Sequence, residues 1–130
     1  MNKLINSIEK SVLNSPRQGD PSGITGEFCF DMNFTGFSGH FPGYPLLPAV
    51  IQLLIAQLLI ERQKGCKIKV TLIEKAKFLS EIKPDDRIRV KCTDADEGEN
   101  QRSKVIITSG DKTVSSFNLN FCSLKENLKC

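Results

Sequence analysis

Gly39-His40-Phe41-Pro42-Gly43-Tyr44-Pro45-Leu46-Leu47-Pro48-Ala49-Val50 decides how this chain is read. It holds the only histidine of the sequence, set between Gly39 and Gly43, with Pro42, Pro45 and Pro48 at intervals of three. From Leu46 to Ile60 follow fifteen residues interrupted only by Gln52 and Gln57. Pro48 suits the first turn of a helix, where a missing N–H costs nothing. The spacing predicts a helix reaching about Gln63, with Gly65 as its stop, and one apolar nearly all round is buried on several sides. An imidazole, with an ordinary pKa of about 6.5, thus stands in a stiff loop just ahead of unpaired helix amides.

Upstream, Leu4, Ile5, Ile8 and Val12 fall at helical spacing, predicting a short amphipathic helix over residues 3–13. The segment Ser15 to Gly23 is rich in turn residues and ends it. From Ile24 the period becomes two, with Phe28, Phe30, Met32 and Phe34 on one face of a strand. Downstream, Ile68, Val70 and Leu72 alternate with polar residues, and the pattern resumes at Ala76 and Phe78. Lys83-Pro84-Asp85-Asp86 reads as a turn. Ile88, Val90 and Cys92, then Val105 and Ile107, then Phe117, Leu119 and Phe121 mark three more strands. One helix among strands predicts an α+β domain, an antiparallel sheet curled around the helix. The expected layout is one domain over 1–130: a lead-in at 1–23, a core at 24–122 and a tail at 123–130. Such a sheet leaves an edge and a helix flank poorly covered, and pairing two copies edge to edge would bury both, so a homodimer is the expected unit.

The bulk properties narrow the function. The length of 130 residues fits one core, and 39% hydrophobic and 25% charged residues are ordinary for a globular protein. A net charge of +3 is too mild and too dispersed for a nucleic-acid surface. Five scattered cysteines without a CxxC pair point to free thiols in a reducing compartment, and one histidine with dispersed cysteines offers no metal-ligand set. The N-terminus lacks the apolar region of a signal peptide. The fifteen-residue apolar run falls short of the roughly 20 residues that span a bilayer. A cytoplasmic protein without metal, cofactor or membrane span is expected.

The order strand, His-Phe-Pro-Gly-x-Pro-x-x-Pro loop, buried helix and strands resembles the hotdog-fold beta-hydroxyacyl-[acyl carrier protein] dehydratases. His40-Phe41-Pro42-Gly43, Pro45 and Pro48 match that family's active-site loop position by position. Lys77-Phe78 followed by Pro84-Asp85-Asp86-Arg87 resembles its Lys-Phe…Pro-Gly-Asp strand and turn. The resemblance covers most of Ile24 to Phe121. It implies an α+β hotdog fold, with an antiparallel sheet wrapped around one long central helix, and a dehydratase. In such an enzyme His40 removes the α-proton of a 3-hydroxyacyl thioester carried by the phosphopantetheine of an acyl carrier protein. The amides of Gly43, Ala49 and Val50 would hold the developing enolate oxygen. Phe41, Tyr44 and Pro48 would line the substrate's path.

The resemblance breaks at one place. The family's helix carboxylate, contributed by the partner subunit, falls fourteen residues after the histidine, and Leu54 stands there. No Asp or Glu occurs between Gly39 and Ile60. Gln57 shares the face of Leu54 and can donate a hydrogen bond without supplying a proton. Glu61 lies two turns along, about 10 Å by helical rise, and Glu74 falls on the inward phase of its strand unless a bulge turns it outward. Ala49 also replaces a frequent glycine. Three functions remain open: a dehydratase with His40 as base, a non-catalytic thioester- or carrier-binding subunit, and a hotdog thioesterase. The dimer is either homomeric or a heterodimer in which a related chain supplies the acid. Arg87, Arg89 and Lys91 share one strand face, a solvated surface or a docking patch for an acidic carrier protein.

Overall fold

The computed structural model describes residues 2–19, 23–34 and 46–124. Two helices, α1 (Asn2–Lys10) and α2 (Ala49–Lys64), accompany six strands. These are β1 (Val12–Gly19), β2 (Gly23–Cys29), β3 (Lys67–Phe78), β4 (Arg87–Asp94), β5 (Gln101–Ser109) and β6 (Lys112–Leu124). They form one antiparallel sheet in the order β1-β2-β4-β5-β6-β3. Helix α2 touches β2 and β4 toward one end of this order and β3 at the other. A flat sheet could not do that, so the sheet curls around the helix.

Three local expectations change. The turn-rich lead-in contains an edge strand, β1, whose register shifts between Asn14 and Arg17, around Pro16. An edge strand tolerates proline at a bulge because the missing donor breaks no ladder bond. The strand expected to reach Phe34 ends at Cys29. Asp31 accepts the Asn33 N–H at 2.8 Å through Oδ1 and the Phe34 N–H at 3.0 Å through its carbonyl, making a turn. Met32 is therefore exposed, while Phe28, Phe30 and Phe34 remain buried. In β3 a bulge between Val70 and Leu72 turns Leu72 outward and Ile73 toward the helix. The Thr71 hydroxyl donates to the Asn120 carbonyl at 3.2 Å beside it.

The core joins both ends of the sheet to α2. Ile51, Ile55, Ala56, Leu59 and Ile60 are buried against Phe28, Val90, Phe117 and Leu119, among others. Gly26 allows this approach, since a Cβ there would lie 2.9 Å from Leu59 Cδ2. Leu53, Leu54 and Leu58 are only half-buried and Val50 is exposed, so one flank of the helix is left uncovered. Gly65 ends α2 at φ 72°, donating to the Glu61 carbonyl at 2.8 Å. No described helix is long and apolar enough to cross a membrane.

The connection between β3 and β4 is pinned at several points. Leu47 donates to the Ile82 carbonyl at 2.8 Å, and Asp85 to the Phe30 carbonyl at 2.7 Å. Asp86 Oδ2 accepts the Lys83 N–H at 2.8 Å. Asp85 occupies φ 70°, the left-handed region that favours glycine. Asp85→Gly is expected to relieve that strain and stabilise the fold by about 0.5–1 kcal/mol in denaturant unfolding.

The cysteines do not all match the expectation of free thiols: Cys29, Cys66 and Cys92 are free, and Cys122 is disulfide-bonded. Burial pushes the Cys92 thiol up to about 12, the Asp94 carboxylate adds to the rise, and the Ser103 hydroxyl partly offsets it. The folded state therefore holds the proton more tightly than the unfolded chain. This stability is complete below the ordinary thiol pKa of about 9 and is lost as pH rises toward 12. Native protein should leave Cys92 unmodified by a thiolate-trapping reagent at pH 8, and denaturant should expose it; fast native labelling would contradict its burial.

Candidate active site

Helix α2 begins without a side-chain cap, since Pro48 holds the N-cap in an extended conformation and no acidic residue lies in the first turn. Ile51 and Gln52 N–H both reach the Pro48 carbonyl, at 3.1 and 3.2 Å. The amides of Ala49 and Val50 precede the first helical acceptor, and both residues are exposed. This end of the helix can therefore hold negative charge.

Gln52 fixes where that end sits. Its side chain is buried; Nε2 donates to the Leu47 carbonyl at 3.2 Å, and Oε1 accepts the Ser115 hydroxyl at 2.7 Å. One amide thus ties the residues before the helix to β6. It is the structural glutamine of the pair. Gln57 makes a longer contact, donating to the Ile68 carbonyl at 3.4 Å, and stays half-buried.

An apolar groove of about 320 Å³ runs between α2 and β3. Val50, Leu53, Leu54, Gln57, Val70 and Ile73 line it, and among the described residues no carboxylate does. Beside the helix start lies a hollow of about 300 Å³, walled by Pro48, Ala49, Gln52, Phe78 and Glu81 among others. The structure thus assembles Val50, Leu54 and Gln57 in one groove and sets Pro48 and Ala49 at the adjoining hollow. His40, Phe41, Gly43 and Tyr44 lie outside the described residues. A separate cavity of about 460 Å³, between α1 and the C-terminal half of α2, is lined by none of the predicted residues.

The outlying carboxylates are engaged elsewhere. Glu61 accepts the Ile68 N–H at 3.0 Å. Glu74 lies 3.8 Å from Arg102 and accepts from Asn120 at 3.3 Å, on the sheet face turned away from the helix. Glu81 lines the hollow at the helix start; no spacing in the sequence points to it, because it lies in the β3–β4 connection and not on the helix. The Arg87, Arg89 and Lys91 row is exposed, with Arg89 paired to Glu27 at 2.9 Å.

Removing the buried tie gives a stability test of the site's frame. Gln52→Ala leaves the Ser115 hydroxyl and the Leu47 carbonyl without these partners, and should cost about 2–4 kcal/mol. Gln57→Ala should cost under about 1 kcal/mol. Equal losses in chemical denaturation would show that Gln52 does not carry this load.

Known proteins share this architecture. The described fold superposes on a chain of "The Dehydratase Heterocomplex ApeI:P from Xenorhabdus doucetiae" with a TM-score of 0.71 and 21% identity, covering 85% of this chain and 96% of that one. A putative thioesterase, YhdA from Lactococcus lactis, gives a TM-score of 0.69 at 12% identity, covering 92% and 97%. At these identities they establish the hotdog fold alone. In sequence, the chain is 36% identical over 65 residues to a 3-hydroxyacyl-[acyl-carrier-protein] dehydratase FabZ of Chlamydia trachomatis, covering 43% of this chain. A FabZ of Fusobacterium nucleatum is 33% identical over 70 residues, covering 50% of each. The chain spans 42% of the length of the Chlamydia relative and half of the Fusobacterium one. Residues 16–118 match the profile of the ApeI-like family, described as ApeI dehydratase. With that match spanning most of its length, the chain belongs to the ApeI-like dehydratase family.

Proposed function

We propose that this chain is the histidine-bearing subunit of a dehydratase acting on a 3-hydroxyacyl thioester held by an acyl carrier protein, working with a related subunit that supplies the acid. The observation that carries this reading is the apolar groove along α2, which leads from an uncapped helix start and has no carboxylate among the described residues of its walls. The acyl chain lies in the groove, with its thioester carbonyl at the Ala49 and Val50 amides and at Gly43. His40 takes the α-proton, and the electron pair moves to the carbonyl oxygen, where the amides hold it as an enolate. Collapse of the enolate forms the α,β double bond and expels the β-hydroxyl. That oxygen leaves as water only when it receives a proton, and a carboxylic acid facing Leu54 from the related subunit is placed to give it. The family membership and the FabZ relatives support the substrate class. Phe41 and Tyr44 are assigned to the path of the phosphopantetheine arm, and the cytoplasm to the site of action.

The same bare groove favours a second reading, in which the chain binds acyl carriers without catalysing a step. One assay separates them: water addition to a trans-2-enoyl thioester, with candidate related subunits added. His40→Ala should lower the rate by about 10²–10⁴-fold. Glu81→Gln should change it by less than about threefold, because Glu81 is not the acid. An unchanged rate in the histidine variant removes His40 from the chemistry. A Glu81 loss as deep as the histidine loss would put the acid in this chain. Release of free thiol instead of hydration would indicate a thioesterase.

A further inference from the structure

The cavity of about 460 Å³ between α1 and the C-terminal half of α2 takes no part in the chemistry proposed above. Its volume falls in the range of small-molecule pockets, about 300–1,000 Å³. Ile8, Phe28 and Leu59 form its floor and are buried. Ile5, Val12 and Leu58 are half-buried and form its walls. Such a hollow leaves apolar surface in water that a ligand would cover. Helix α1 divides it from the acyl groove, since Leu4 lines the groove while Ile5 and Ile8 line the cavity. The end of α1 is fastened to β2, where the Cys29 N–H donates to the Ser11 carbonyl at 2.9 Å. The Ser11 hydroxyl in turn donates to the Ser7 carbonyl at 2.8 Å.

The mouth of the cavity is charged, and its cations are the freer groups. Arg62 and Lys67 are exposed there, and neither has an ion-pair partner among the described residues. Glu61, also at the mouth, is held by the Ile68 N–H at 3.0 Å. Among the described lining residues, that leaves Glu9 to oppose two cations. A guanidinium presents paired N–H donors that match a carboxylate, and a neighbouring ammonium adds a second positive charge. An apolar floor under a cationic mouth fits a molecule with a hydrocarbon tail and an anionic head.

We infer that this cavity is a second ligand site, for a free aliphatic carboxylate, with the tail on Ile8, Phe28 and Leu59 and the head at Arg62 and Lys67. A thioester carries no charge at its carbonyl end, so this mouth favours the free acid over the acyl thioester. The site needs neither His40 nor a second chain.

The protein carries its own reporter. Cys66 lines the cavity, and Cys29, in β2, does not; both are free and half-buried. Their alkylation by iodoacetamide, a neutral reagent, is followed on the full chain by peptide mass. Octanoate near saturation should slow labelling of Cys66 by about fivefold or more and leave Cys29 unchanged. From hexanoate to decanoate, each added methylene should lower the concentration required by about two- to fourfold. Octylammonium, with the same tail and the opposite charge, should be weaker by about tenfold or more. Arg62→Glu with Lys67→Glu, both at exposed positions and checked for folding by circular dichroism, should weaken octanoate protection by a similar factor. Val50→Glu sets a like charge in the acyl groove and should leave that protection unchanged. The inference is overturned if octanoate fails to protect Cys66 in the wild-type chain, or if octylammonium protects it equally well. A folded double variant that is protected as before would also overturn it, and loss of protection in Val50→Glu would place the carboxylate in the groove instead. These readouts are labelling rates, so they stand apart from the hydration assay.

Discussion

A helix without a charged side chain before Glu61 has to be covered all round, and one curled sheet covers it only in part. That mismatch shapes the molecule. The buried stripe of α2 sets the curl of the sheet and the glycine beneath Leu59. The bare stripe produces the groove and leaves the apolar row on β3 exposed. Burying a large apolar side chain stabilises by about 1.5–3 kcal/mol, so a flank holding Val50, Leu53 and Leu54 is a substantial unused surface. The candidate chemistry sits on this flank because the uncovered stripe begins where the helix amides are open.

Much of this was legible in the residues. The helix and its Gly65 stop, the inward phases of Ile88, Val90 and Cys92, and those of Phe117, Leu119 and Phe121 all follow from periodicity, because each segment keeps one period throughout. Where the sequence misled, a single local bond had overridden the period. The Asp31 side chain turned the chain before Met32, and the extra residue at Thr71 reversed the phase of β3. Alternation cannot show a bulge, because the residues on either side look regular when read separately. The lead-in hides its strand for a related reason: Ser15, Pro16 and Gly19 are turn residues by preference, yet pairing with β2 recruits them to an edge.

The candidate site was legible in identity more than in arrangement. Leu54 and Gln57 were placed on one helix face by spacing, and they do share a groove. The two glutamines could not be told apart from sequence, since only the packing of Ser115 and Leu47 shows which amide is buried and paired. Glu81 could not be found by any helix argument, because the β3–β4 connection brings it to the helix start.

That connection has a further consequence. Phe30, shortly before residues 35–45, gives its carbonyl to Asp85, and Leu47, shortly after them, gives its amide to Ile82. Departure and return of the histidine-bearing stretch are therefore fastened to the same short piece of chain, like both ends of a handle on one plate. Placement of that stretch then depends on a short segment outside the apolar groove, so a substitution between Ile82 and Asp85 can shift the histidine-bearing stretch without altering its sequence.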